Sequence, residues 1–253
     1  MARKASLEPY REFLKDTIRL EIDFSQTDQH LGFEPPPIEK PAPPSAPRVP
    51  LPPRDAWRGL RRVDLAECIA RRESRRNFAE APLALDELSF LLWATQGVRQ
   101  VIDRGTALRT VPSAGARHAL ETYLCAMRVE GLEPAIYRYL PLKHELVRHR
   151  NESSLADRLG EATLGQDFVG RAAVVFVWTA IPYRMEWRYE RASHKVIAID
   201  AGHVCQNLYL ACEAIDAGAC AVAAYHQHKM DELIGVDGDD EFVIYLAPVG
   251  KKA

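Results

Sequence analysis

The chain is expected to fold as an α+β protein, and three observations predict that class. Two helical patterns come first, a hairpin and an unbroken apolar strand follow, and a long helix precedes the last strands, so helices and strands are grouped and do not alternate. The 253 residues are 47% hydrophobic and 27% charged, which is enough apolar matter for a sizeable core. A formal net charge of -2 provides no basic excess to recruit nucleic acid or an anionic membrane, so neither is expected as a partner.

Residues 1–55 read as an appendage and 56–253 as the folded domain. In "LEPYREFLKDTIRLE" the spacing of Tyr10, Phe13, Leu14 and Ile18 suggests a short docking helix. Residues 35–53, "PPPIEKPAPPSAPRVPLPP", carry 10 of the 17 prolines, a density expected to exclude both helix and sheet and to leave an extended arm. Such an arm either wraps a partner subunit or hangs as a tether.

"VDLAECIARR" reads as a helix with Asp64 as its first-turn acid, and "PLALDELSFLLWATQG" as a second, closed by Gly97 as a C-cap. "ETYLCAMRV" and "AIYRYLP", separated by "EGLEP", make a hairpin. "RAAVVFVWTAI" has the length and continuous apolar character of a strand buried on both faces, in mid-sheet. "KVIAIDAGHVCQNLYLACEAIDAG" is a long central helix ended by Gly218; "ACAVAAY" and "EFVIYLAPV" are strands flanking a short helix, "KMDELIG".

The five cysteines are odd in number, widely spread and contain no C-x-x-C, so free buried thiols are expected and no metal site. No stretch reaches the roughly 18 apolar residues of a membrane span, and the charged start has no apolar signal core, so a cytoplasmic protein is expected.

Two stretches point to chemistry. In "RRESRRNF", Arg72, Ser74 and Arg76 alternate just past a helix end, so an extended backbone turns all three one way, as a phosphate clamp or as a solvated basic turn. In "TVPSAGARHALE" the side chains of Ser113 to Ala116 are all small, leaving backbone bare for a flat or anionic ligand, or simply making a tight loop. Glu121 is close enough in sequence to pair with Arg117 or His118. His226 and His228 lack a third ligand at metal-binding spacing, and no G-x-S-x-G elbow, dinucleotide glycine fingerprint or P-loop is present.

Taken in order, "RRESRRNF", "PLALDELSFLLWATQGV", "RTVPSAGARHALETYL", "IDAGHVCQNLYLACEA" and "IYLAPVGK" resemble the nitroreductase superfamily, and within it the SagB/ThcOx-type dehydrogenase branch. The resemblance runs from about residue 60 to 250. It implies a central antiparallel sheet wrapped by helices and an intertwined homodimer with FMN at the subunit interface. Arg72, Ser74 and Arg76 would then hold the FMN phosphate and ribityl chain, and Pro112, Ser113, Ala114 and Gly115 would line the flavin ring. Ala223 and Ala224 would lay backbone beside it, with Lys251 near the phosphate.

The implied activity is hydride transfer through the flavin N5 to or from a small organic substrate, with NAD(P)H as donor. The alternatives are a peptide azoline dehydrogenase acting with a cyclodehydratase, or a flavin-binding or flavin-fragmenting protein. Where azoline-oxidising members carry lysine-tyrosine, this chain has Arg188-Tyr189, and an arginine cannot serve as a base at ordinary pH. Where the branch has leucine-tyrosine-proline, this chain has Arg117, His118 and Ala119, so Arg117 and His118 join Arg188 and Tyr189 as candidates to act on substrate.

Overall fold

A computed structural model describes residues 7–253; the first six residues of the appendage lie outside it. Its strands, in chain order, are β1 (Arg48–Pro50), β2 (Val98–Asp103), β3 (Thr106–Arg109), β4 (Leu120–Ala126), β5 (Ala135–Leu140), β6 (Glu145–Arg150), β7 (Val174–Ala180), β8 (Ala217–Ala219) and β9 (Phe242–Lys251). Its helices are α1 (Glu8–Glu12), α2 (Leu65–Arg71), α3 (Leu85–Gln96), α4 (Leu155–Ala162), α5 (Tyr183–Tyr189), α6 (Ser193–Ala214) and α7 (Gln227–Ile234).

Seven strands form one sheet in the order β1-β6-β5-β4-β7-β9-β8, with every neighbouring pair antiparallel. Strand β7 pairs with β4 on one side and β9 on the other, and all seven of its residues are buried. Alternation explains why it reads as unbroken apolar sequence: Phe176 and Trp178 enter the core layer shared with α3 and α6, whereas Val175 and Val177 enter the layer shared with α4 and α7. The sheet is therefore covered on both faces, with the long helix in the larger core.

The hairpin β4–β5, the mid-sheet strand and the long helix lie where the sequence places them. Of the two glycines expected to end helices, Gly97 is the C-cap of α3, its N–H donating to the Trp93 carbonyl at 2.9 Å, and Gly218 is not a cap. Gly97 follows α3 with φ -59, and a Cβ there would lie 2.5 Å from Trp93 Cδ1; it is a close-approach residue, not a left-handed cap. The long helix ends at Ala214, before Asp216 at φ 52, and Gly218 lies inside β8. Of "ACAVAAY" only Ala219 lies in β8, and a lone bridge then joins Val222 to Leu246. Near the N-terminus α1 is five residues long, and Tyr10, Phe13 and Leu14 are exposed, so their spacing does not mark a face docked on this chain.

The proline-rich arm departs most from expectation. Arg48–Pro50 enters the sheet as its edge strand against β6, the position where proline's missing N–H costs nothing. Farther upstream, proline density leaves carbonyl acceptors with few donors, and buried arginines, which have donors only, meet them. Arg109 donates to the Ile38 carbonyl at 2.7 Å, and Arg138 to Lys40 and Pro41 at 2.7 and 2.9 Å. The Lys40 N–H donates to Glu121 at 2.9 Å, and Trp187 Nε1 to the Phe33 carbonyl at 3.0 Å. The arm is thus bonded along its length to its own chain.

Candidate functional site

Helix α2 is capped at its start by Asp64, whose carboxylate accepts from the Ala66 and Glu67 amides, and at its end by Arg72. The chain then runs extended beside β8: Ser74 bridges Ala219, and the Arg75 N–H donates to the Ala219 carbonyl at 2.9 Å. This approach requires Gly218, because a Cβ there would sit 2.4 Å from Arg75 Cδ. Extended geometry sorts the four arginines. Arg71 and Arg75 form ion pairs with Glu67 and Glu73, whereas neither Arg72 nor Arg76 has a carboxylate partner among the described residues.

The residues of the Ser74 side converge. The Arg72 guanidinium stands 5.3 Å from the Tyr209 ring centroid, and Ser74 Oγ is 2.9 Å from the Tyr209 phenol oxygen. Arg76 lies 5.8 Å from the Phe168 ring, and both Arg76 and Ser74 pull down the Cys220 thiol, which burial pushes up. Two unpaired guanidiniums and a hydroxyl in one place form a donor set for an anion. Ala223 and Ala224 follow a few residues after β8 and are exposed, with the Ala224 carbonyl taken by Gln166 Nε2 at 2.8 Å. Lys251 is elsewhere engaged: its ammonium is bound by Glu87 and the Ile215 carbonyl, so the expected phosphate contact is corrected to a tie between β9 and α3.

The bare stretch forms a single 3₁₀ turn, Ala114–Ala116, with Pro112 and Gly115 exposed. Gly115, Ala116 and His118 have positive φ values of 58, 53 and 47, interrupted by Arg117 at φ -83, and a positive φ costs about 1–2 kcal/mol at each non-glycine position. The Ser113 hydroxyl oxygen secures the turn by accepting the His118 N–H at 3.0 Å. From α6, Asp200 faces the same turn. Burial raises its carboxyl, Ser113, His203 and the Ala114 amide act in the opposite sense, and its Oδ2 is buried without a partner.

Helix α5 ends on this turn. A Cβ at Gly115 would lie 2.6 Å from the Tyr189 hydroxyl and 3.2 Å from Arg188 Cδ and Nε, so Arg188 and Tyr189 border the glycine on one side. The structure thereby brings together two of the four residues proposed to act on substrate and the bare backbone.

It takes the other two away. Arg117 is 3% exposed; it donates to the Arg184 and Gly105 carbonyls at 2.9 and 2.7 Å and stacks 4.6 Å from the Trp187 ring centroid. His118 is also buried, and desolvation, reinforced by Arg109, lowers its pKa to about 3. Both are structural, which corrects the expectation that they face a substrate. Glu121 pairs with neither: its carboxylate binds Arg184 and, at 3.1 Å, Arg138. His226 caps α7, its ring nitrogen accepting the Lys229 N–H, and no trio of potential metal ligands occurs among the described residues. The partner missed by sequence reasoning is Tyr209, hidden in a helix run that otherwise reads as core.

Comparison with known proteins identifies the family and the fold. The profile of the nitroreductase family matches residues 69–251. A nitroreductase-family protein of Methanocaldococcus jannaschii is 33% identical over 193 residues, 76% of this chain and 93% of its own. The crystal structure of a nitroreductase-family protein from Ralstonia eutropha superposes with a TM-score of 0.67 at 28% identity, covering 88% of this chain and 96% of that one. The NADPH:FMN oxidoreductase of Vibrio harveyi, at 15% identity and a TM-score of 0.52 over 74% of this chain and 68% of its own, shares the fold. The chain belongs to the nitroreductase family of oxidoreductases.

Proposed function

We propose that the protein is an FMN-dependent oxidoreductase, acting as a homodimer on a small organic substrate with NAD(P)H as donor. The observation that carries this reading is the placement of two half-sites on α6. Asp200 faces the bare turn and Tyr209 the arginine clamp. Nine residues of helix separate them by about 13.5 Å and about two and a half turns, which puts them on opposite faces of α6. Clamp and turn of one chain therefore face away from each other, which suits a cofactor held by the clamp of one protomer and the turn of its partner. The α6 face bearing exposed Ala198, Ile199, Gly202, His203 and Gln206 is available for that pairing.

The residues fit the cofactor's two ends. Arg72, Ser74 and Arg76 offer donors to a phosphate with no carboxylate paired to either arginine among the described residues, and Pro112 to Gly115 offer a nearly side-chain-free surface to a planar ring. Flavin, when bound, supplies the redox chemistry, and the protein binds, orients and shields it. Arg188, fixed as a cation, orients an anionic group and removes no proton. The azoline reading needs a base at that position, so a small-molecule oxidoreductase is the better fit.

Purified protein should bind FMN near one per chain, oxidise NADH or NADPH, and scatter light as a dimer. A protein that cannot be loaded with FMN would overturn the reading.

A further inference from the structure

The clamp rests on a side chain to which the flavin reading assigns no role at the phosphate. Tyr209 is 9% exposed and its phenol oxygen stands 2.7 Å from the Ala221 nitrogen and 2.9 Å from Ser74 Oγ. An amide N–H only donates, so the phenol oxygen accepts from Ala221. An anion at Ser74 offers only acceptors, so the serine turns its single proton toward the anion and its lone pair toward the phenol proton. The hydrogen bonds then run in one direction, from the Ala221 N–H through the Tyr209 and Ser74 hydroxyls, and each polarises the next. The same ring lies against the Arg72 guanidinium, so one side chain aligns two members of the donor set. Cys220, the neighbouring thiol, is kept protonated by burial and adds no opposing charge.

We propose that Tyr209 is a positioning residue for the phosphate end of the cofactor: through Ser74 it presents a proton to a phosphate oxygen, and it takes no part in holding the ring. This rests on the FMN reading above. The test compares FMN with riboflavin, which lacks the phosphate, by fluorescence titration of the wild type, Tyr209→Phe, Ser74→Ala and the double variant. Phenylalanine keeps the ring under Arg72 and removes only the hydroxyl.

The expected result is about a tenfold rise in the FMN Kd for Tyr209→Phe, riboflavin affinity unchanged, and a double variant no weaker than the weaker single, because both changes interrupt one relay. Should Tyr209→Phe fail to fold, Ser74→Ala, in an exposed segment, is expected to show the same FMN-selective loss. Equal losses for FMN and riboflavin, unchanged FMN affinity, or additive losses in the double variant would overturn the role. A wild type that binds FMN no more tightly than riboflavin would also overturn it, while leaving flavin binding standing; one that binds neither removes the flavin reading and this role together.

Discussion

Two groups of arginines behave in opposite ways. Arg109, Arg117, Arg138 and Arg184 are buried and bound to backbone carbonyls of the arm, of Gly105 and of α5, to Gln96 or to Glu121, although Arg109 Nε and Arg117 Nη2 stay without a partner among the described residues. Arg72 and Arg76 lie at the surface with aromatic neighbours and no carboxylate partner among the described residues. The difference teaches that an arginine beside a bare backbone stretch is not thereby a ligand group. What sets the two proposed phosphate arginines apart is that they lie at the surface without a carboxylate partner among the described residues, where an anion could reach them.

That contrast can be broken most forcefully at Glu121, which joins the arm, β5 and α5 through Lys40, Arg138 and Arg184. Glu121→Ala leaves buried guanidiniums uncompensated and should cost about 3–5 kcal/mol of stability in urea unfolding. Burial raises the Glu121 carboxyl, but Arg184 and Arg138 outweigh it and hold the pKa low. Its contribution is therefore present above the unfolded carboxylate range and is lost as pH falls through the lower folded value. Next in size, Arg72→Ala and Arg76→Ala should each weaken FMN by about 10- to 100-fold, a charge-assisted hydrogen bond of about 1.5–3 kcal/mol, with the unfolding midpoint of the flavin-free protein unmoved. A fall in that midpoint matching Glu121→Ala would place both groups in one structural class.

Smaller effects sharpen the picture at the turn. Gly115→Ala adds a Cβ into the Tyr189 hydroxyl at a left-handed position, so about 1–2 kcal/mol of destabilisation is expected, together with altered fluorescence from the displaced Tyr189. His118 has a folded pKa of about 3, well below its unfolded value, so the unfolded state takes up the proton first as pH falls. It adds stability above about pH 6.5 that declines by about 1.4 kcal/mol per pH unit below it, and His118→Gln should flatten the stability profile between pH 6 and 4 by that amount.

Much of the fold was legible because burial imposes a period. Strand β7 is apolar on both faces, α6 repeats at three and four, and the clamp follows from alternation past a helix end. The missed elements β6, α5 and the β2–β3 hairpin mix charge with apolar residues and have no clean period, whereas α4 keeps a helical period in Leu155, Leu159 and Ala162 over only eight residues. The edge strand in the arm was hidden by proline density, since its pairing uses carbonyls that proline retains. Arg117 was misread because its partners, Gly105 and Arg184, are backbone carbonyls, and the sequence gives no sign of which carbonyl a guanidinium will meet.

The central claim, that each site combines one protomer's clamp with its partner's turn, has a direct test in mixed dimers. Arg72→Ala/Arg76→Ala and Gly115→Val should each lose FMN binding as homodimers. Co-expressed, they form mixed dimers in which one site carries both defects and the other carries none, so FMN binding should return at one site per mixed dimer. Mixed dimers that remain unable to bind FMN would contradict the account, because a site built within one chain leaves every site with one defect.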